Sequence, residues 1–402
     1  MSEISETVKI PRLLIVDTAY WAFLKGLGHA QLPNKNETFG SLSSELGQAG
    51  FGVAHDYCQS FRSRGFIVES ICPNDLRTQL AWAREHNTGR QPFAKFSFRF
   101  WPIIGRLPLI GPIALAATSV TKILANQIES MSPDVVLVAD LNVLPARMVE
   151  KLAKSTGAMF VGQIASPLPS AGFTRGYHHI VSAHPGLVES LKKRGNNTSY
   201  LPLASGVDLV RTQSEPLENR KHDVAFVGSF GRHHKQTYKL LQKASMATSS
   251  LVIYGNPNQR TLRKFGLTDF YRGTAFGKEM LEVFGQTRIV LNRHARFADG
   301  YSVNMRMFEA IGSGAALLTE SSPNLRDLFA DDEVATYENI NEVPRKLTEL
   351  LTNLSRTQIS ADAARERLRQ EHTYDQRAAE LGSIFARLAG WNSSNFDNLD
   401  GA

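Results

Sequence analysis

Short apolar runs, each followed by a stretch with apolar residues at helical spacing, pattern this chain along most of its length. In the first half the runs are RLLIVDT (12–18), FIVESIC (66–72), DVVLVAD (134–140), AMFVGQIA (158–165) and HHIVSAH (178–184). In the second they are DVAFVGS (223–229), LVIYGN (251–256), TRIVLNR (287–293), AALLTE (315–320) and EVATYE (333–338). A run that is apolar continuously belongs to a strand buried on both faces, and such strands alternating with helices build parallel sheets. Between the halves, ASGVDLVRTQSEPLENRKH (204–222) is polar, mixed in charge and without an apolar stripe, as expected of an interdomain linker. The pattern therefore predicts an α/β protein of two doubly wound domains, 1–203 and 223–372, joined by 204–222. A C-terminal helix and tail follow over 373–402, with the helix placed to return to the N-terminal domain.

Ligands of doubly wound sheets bind beyond the carboxyl ends of the strands, so the residues there carry the functional argument. The run ending in VGSFGRHHK (227–235) offers Gly228 and Gly231 for close backbone approach, with Arg232 and Lys235 at the mouth of the next helix. A helix start and two cations suit a diphosphate, although a solvated basic helix start would read the same way. His233 and His234 beside them are ambiguous. In LNRHARFADGYS (291–302), Asn292, Arg293 and His294 end an apolar strand; His294 is placed either to bond a substrate hydroxyl or phosphate or to cap the turn.

The stretch NMRMFEAIGSGAALLTE (304–320) is the most informative. As a helix over 302–312 it puts Val303, Met307 and Ile311 on one face and Ser302, Arg306, Glu309 and Ser313 on another, with Asn304 at its start. Gly312 and Gly314 end the helix, and Ala315 and Ala316 leave room above the next strand for a flat ligand. A carboxylate so placed can accept both vicinal hydroxyls of a ribose while the arginine meets phosphates. The alternative is a solvated i, i+3 pair worth a few tenths of a kcal/mol.

Composition narrows the class. With 402 residues, 42% hydrophobic and 21% charged, the chain can bury a large core. Its two cysteines, Cys58 and Cys72, form neither a disulfide framework nor a zinc spacing, which points to a reducing cytoplasm, and MSEISETVKI has no export pattern. A formal charge of +7 favours an anionic partner without choosing among nucleotide phosphates, an anionic membrane face and nucleic acid. The apolar, arginine-edged segment 96–124 is broken by prolines and Arg106, so it reads either as a membrane-surface or acceptor-docking element or as a loop and buried helix. A spanning helix would need roughly 20 clean apolar residues.

NRHARFADGYSVNMRMFEAIGSGAALLTESSPNLRDLF, followed by EVATYENINEVPRKLTELL, resembles the donor-binding domain of GT-B glycosyltransferases, and within them the CgeB-like group of the group 1 glycosyl transferases. The likeness runs from about 175 to 385 and includes LPLASGVD and EHTYDQRAAEL (371–381). It implies two facing Rossmann-like domains: a nucleotide sugar bound by the C-terminal one, a glycan or lipid-linked acceptor by the N-terminal one, and cleft closure assembling the site. It further implies that Glu309 holds the ribose, that Arg232 and Lys235 approach the diphosphate, and that neither metal, other cofactor nor nucleic acid takes part. An acceptor-side base is then sought among Asp140, His55 and Asp17, whose ordinary alternatives are capping for the aspartates and packing for the histidine; Gln163 and Ser166 would line the same cleft. Two departures stand out: Tyr301 occupies the position of an earlier glutamate in many relatives, and DTAYWAF (17–23) replaces a glycine-rich loop. A same-fold sugar-nucleotide epimerase and a non-catalytic binding subunit remain alternatives. A nicotinamide dehydrogenase is disfavoured by the lack of G-x-G-x-x-G after either first strand.

Overall fold

The computed structural model describes residues 10–88, 111–231, 236–295 and 298–391. All ten apolar runs are strands. The first half forms β1 (Arg12–Val16), β2 (Ile67–Ile71), β3 (Val135–Val138), β4 (Met159–Ile164), β5 (His179–Ser182) and β6 (Thr198–Tyr200), paired in parallel in the order β2-β1-β3-β4-β5-β6. The second half forms β7 (His222–Gly228), β8 (Leu251–Gly255), β9 (Tyr271–Gly273), β10 (Thr287–Leu291), β11 (Ala316–Glu320) and β12 (Ala335–Tyr337). These pair in parallel in the order β12-β11-β10-β7-β8-β9, so the chain reverses direction across the sheet between β7 and β10. In the first sheet the reversal lies between β1 and β3. Such switch points leave a crevice at the strand ends. The pattern did not foresee β6 and β9, three-residue edge strands without buried residues, which carry no apolar run.

Alternation along β1 shows why the strands read as continuously apolar. Leu13 and Ile15 enter one core cluster while Leu14 and Val16 enter another on the opposite face. The first of these clusters is completed by the last helix, Tyr374–Ala389, whose Tyr374, Ala378, Leu381 and Phe385 are buried against the N-terminal domain. Phe385 stacks on Phe61 at 5.6 Å, Tyr374 meets Tyr57 edge-on at 4.8 Å, and Thr373 caps the helix with Gln376.

Residues 204–222 connect the domains but are anchored to the C-terminal one by polar contacts. Arg220, 3% exposed, donates to the carbonyls of Glu215, Phe284, Thr287 and Ser313. Arg365 donates to the carbonyls of Leu209 and Gly312. The domains also touch at a second seam: Gly277 has φ +51°, and a Cβ built there would lie 2.3 Å from the Ala49 carbonyl. Phe276 packs edge-on against Phe51 at 5.7 Å and against Phe23 at 6.0 Å.

Of the segment 96–124, the part before 111 lies outside the described residues. Beyond it, Val120 and Leu124 are buried in the N-terminal core and Lys122 is exposed, as in a buried amphipathic helix. Among the described residues no helix is long and apolar enough to cross a membrane.

Candidate functional site

The C-terminal wall of the cleft starts where β7 and β8 end. Backbone meets backbone there, since a Cβ on Gly255 would fall 2.2 Å from the Gly228 carbonyl. Among the described residues, nothing lies within 4 Å of a Cβ built on Gly231. Arg232 and Lys235, with His233 and His234, lie outside the described residues.

The helix Met305–Gly312 follows, shorter than the 302–312 expected because Asn304 caps it by accepting from the Arg306 N–H at 2.8 Å. The Asn304 amide donates back to Asn292 Oδ1 at 2.8 Å and to the Arg293 carbonyl at 3.2 Å. Asn292 in turn donates to Thr319 Oγ1 at 2.8 Å and is 3% exposed. Both asparagines tie the helix start to the ends of β10 and β11. On the next turn Arg306 donates through Nε to the Val227 carbonyl at 3.2 Å and pairs through Nη1 with Glu309. The pair is half-buried and bridges β7 to the helix, unlike a pair projecting into solvent.

His294 is 5% exposed. Its Nε2 lies 3.1 Å from the Glu320 carbonyl and 3.1 Å from Ser302 Oγ, so that nitrogen carries the proton and donates to the carbonyl. Burial, with the Arg293 charge adding, pushes its pKa down to about 4, so the ring is neutral at pH 7. That leaves Nδ1 as an acceptor, buried and without a partner.

The N-terminal wall carries carboxylates. Asp17, just past β1, accepts from Thr18 N at 2.8 Å and from Ala54 N at 3.4 Å, so it sits at the start of the helix Val53–Ser63. Burial drives its pKa up to about 7, with Asp140 adding and the backbone donors opposing. Asp140, just past β3, accepts from Thr18 Oγ1 at 2.9 Å and from Asn142 N and Nδ2 at 3.0 Å each. Both aspartates thus do the capping that was the ordinary alternative, and they do it side by side at the switch point. His55 is exposed, so it does not fill the packing role; partial desolvation and the Lys278 charge from the other domain hold its pKa low. Gln163 is buried within β4.

One residue beyond His55 is a group that sequence reasoning missed. Asp56 is half-buried where the domains meet, with its carboxylate over Gly206, where an added Cβ would come within 2.8 Å of Oδ1. Burial, then Glu309 and Asp208, raise its pKa to about 7. Helical spacing alone could not show that Asp56 faces Glu309, because the two share no element. Tyr301, in place of the earlier glutamate, also crosses the cleft: its ring lies 4.9 Å from that of His184, the cap of the helix Pro185–Lys193.

Residues 232–383 match a family described as glycosyl transferase-like. No protein of curated function matches the chain. Several solved structures share its architecture along nearly the whole length. Sucrose-phosphate synthase of Thermosynechococcus elongatus is 10% identical, with a TM-score of 0.60 over 94% of this chain and 99% of that one. HepE of Anabaena, solved in complex with UDP and glucose, is 10% identical, with a TM-score of 0.59 over 93% and 100%. A UDP-forming trehalose-phosphate synthase of Burkholderia xenovorans is 10% identical, with a TM-score of 0.54 over 94% and 100%. The expected fold of two Rossmann-like domains is thereby shown along nearly the whole chain, and residues 232–383 are similar to the glycosyl transferase-like family; the CgeB-like subgroup is addressed by neither comparison.

Proposed function

We propose that this protein is a glycosyltransferase that takes a sugar from a nucleoside diphosphate sugar and passes it to the hydroxyl of a glycan or lipid-linked acceptor. The observation that carries the reading is the fixed Arg306–Glu309 pair at the β7/β10 switch point, with its helix start tied down by Asn304 and Asn292. A carboxylate held this way is ready to accept the two hydroxyls of a ribose without first losing rotamer freedom. Because Arg306 already serves Glu309 and the Val227 carbonyl, its role is to orient the carboxylate. The diphosphate falls to the open backbone at Gly231 and to Arg232 and Lys235, with no divalent cation. HepE, similar in fold, binds UDP, which makes a uridine nucleotide the first donor to try.

The acceptor hydroxyl would enter from the N-terminal wall. Asp56 and Asp17, both held near neutrality, are the groups able to take its proton at pH 7; Asp140, accepting three hydrogen bonds, steadies Asp17 through Thr18. A net basic chain is compatible with a lipid-linked acceptor at an anionic membrane face.

The test is UDP release from UDP-glucose and related donors, with glycan and lipid-linked acceptors, in the presence of EDTA. Acceptor-dependent release is expected. A strict need for magnesium or manganese refutes the metal-free site. Binding without release would mark a non-catalytic subunit, and an altered sugar still on its nucleotide would mark an epimerase.

A further inference from the structure

The segment that follows the helix Trp21–Gly26 buries His29 completely between two carboxylates that belong to different helices. Its Nδ1 lies 2.7 Å from Asp75 Oδ2. Asp75, itself fully buried, also accepts through Oδ1 from the backbone N–H groups of Arg77 and Thr78, capping the helix Leu76–Glu85. A carboxylate that accepts these bonds leaves Nδ1 as a donor. The other ring nitrogen, Nε2, is buried without a hydrogen-bond partner and lies 3.6 Å from Glu45 Oε2 on the helix Phe39–Gln48. In the neutral ring Nε2 turns a lone pair toward a carboxylate, whereas in the imidazolium it carries the proton that the carboxylate attracts. Burial lowers the pKa of His29, but the bond to Asp75 and then the charges of Asp75 and Glu45 outweigh it and leave the value raised, with Arg77 opposing. Arg77 is itself paired with Glu37, and Lys25, on the helix before His29, is exposed.

Glu45 stands one turn from the contact between the domains. The Ala49 N–H donates to the Glu45 carbonyl at 3.3 Å, and the Ala49 carbonyl is the group that packs against Gly277. Phe51 meets Phe276 in the same seam. We propose that His29 is a proton-operated latch on this seam: with both ring nitrogens protonated it ties the last turn of the helix Phe39–Gln48 to the helix Leu76–Glu85, and loss of the Nε2 proton releases that turn and loosens the contact of Ala49 and Phe51 with the C-terminal domain. The start of the same helix is held separately, since the Phe39 N–H donates to Glu85, so the proton acts on the end that meets the other domain. The stabilising share of His29 is present below the ordinary histidine pKa of 6.5 and is lost as pH rises through the raised value. The inference rests on the seam and not on the nucleotide reading.

Hydrogen–deuterium exchange of residues 47–51 in the full chain, corrected for intrinsic exchange and recorded at about pH 6 and about pH 8.5, tests it. Exchange in the wild type should be faster at the higher pH by about two- to fivefold, the equivalent of one part-exposed ion pair. Glu45→Gln changes a half-exposed side chain and supplies an amide able to donate to the neutral Nε2, so at the higher pH it should exchange more slowly than the wild type by the same factor. Asp17, Asp56 and His55 also titrate on this side of the cleft, but their contribution is common to both proteins and cancels in that comparison. The His29 ring, followed by carbon-13 NMR and assigned by the signal missing from His29→Gln, should titrate above about pH 6.5. The proposal is overturned if wild type and Glu45→Gln exchange equally at the higher pH, if wild-type exchange does not change between the two, or if the His29 ring is already neutral at about pH 6. Should His29→Gln fail to fold, the Glu45→Gln comparison still decides.

Discussion

The two domains have the same construction, a six-stranded parallel sheet with a switch point, but their cleft-facing edges are finished in opposite ways. At the C-terminal edge, the polar groups around the start of the helix Met305–Gly312 satisfy one another. Asn292 holds Asn304, Asn304 caps Arg306, and Arg306 pairs with Glu309 and reaches β7. At the N-terminal edge, burial, with smaller contributions from other carboxylates, lets Asp17 and Asp56 each retain a proton to about pH 7. A preformed constellation suits binding, because little is lost in ordering it. Carboxyl groups poised near neutrality suit proton transfer. The fold supplies the same crevice twice, and side-chain satisfaction separates a holding wall from a reacting wall.

The largest effect should come from removing what keeps the holding wall rigid. Arg220→Ala leaves the carbonyls of Phe284, Thr287 and Ser313 without their buried donor, and should cost about 3 kcal/mol or more of stability in a urea titration. Loss of less than about 1 kcal/mol would show that the C-terminal edge does not depend on this anchor.

Separating the walls comes next. Gly277→Val places a side chain against the Ala49 carbonyl at a backbone φ of +51°, so the seam must open. Strain of this kind, about 1–3 kcal/mol, should lower turnover by about 10- to 100-fold while UDP still binds. X-ray scattering should report a larger radius of gyration, and an unchanged radius with full activity would mean that closure does not assemble the site.

The reacting wall should be visible in pH dependence. The folded pKa of Asp56 is raised from 3.8 to about 7, so its contribution to stability is fully present below about pH 4 and lost as pH rises through about 7. That share of the stability falls across the window, against a rise from His294 and His372, whose pKa values burial pushes down to about 4. Asp17 adds a slope of the same sign as Asp56, as does His29, whose bond to Asp75 helps raise its pKa. Asp56→Asn should therefore remove only the falling share that Asp56 contributes, read as the difference between its melting-temperature profile and that of the wild type. A pH profile identical to that of the wild type would place Asp56 outside the coupled group.

Much of the holding wall was legible along the chain, because it rests on local spacing. Continuous apolar runs gave the ten main strands, and Arg306 and Glu309 lie three residues apart on one helix face. The bond between Asn292 and Asn304 was not legible, because it joins residues across a loop; for His294, the bond to the Glu320 carbonyl matches the turn-capping alternative. Residues 204–222 lack an apolar stripe because Arg220 and Arg365 bind them through backbone carbonyls, which leaves no periodic trace. Asp56 was illegible for a different reason, since its pKa is set partly by Glu309, a residue more than half the chain away. Arg232 and Lys235 lie outside the described residues, so their place at the diphosphate rests on the resemblance.

The central claim is that Glu309 holds the nucleotide, and calorimetric titration of UDP into wild type and Glu309→Gln tests it most directly. The glutamine keeps the volume but loses the charge that strengthens two hydroxyl hydrogen bonds, so affinity should fall by about 10- to 100-fold with the fold intact. UDP binding of equal strength by the two proteins would contradict the account and remove Glu309 from the site.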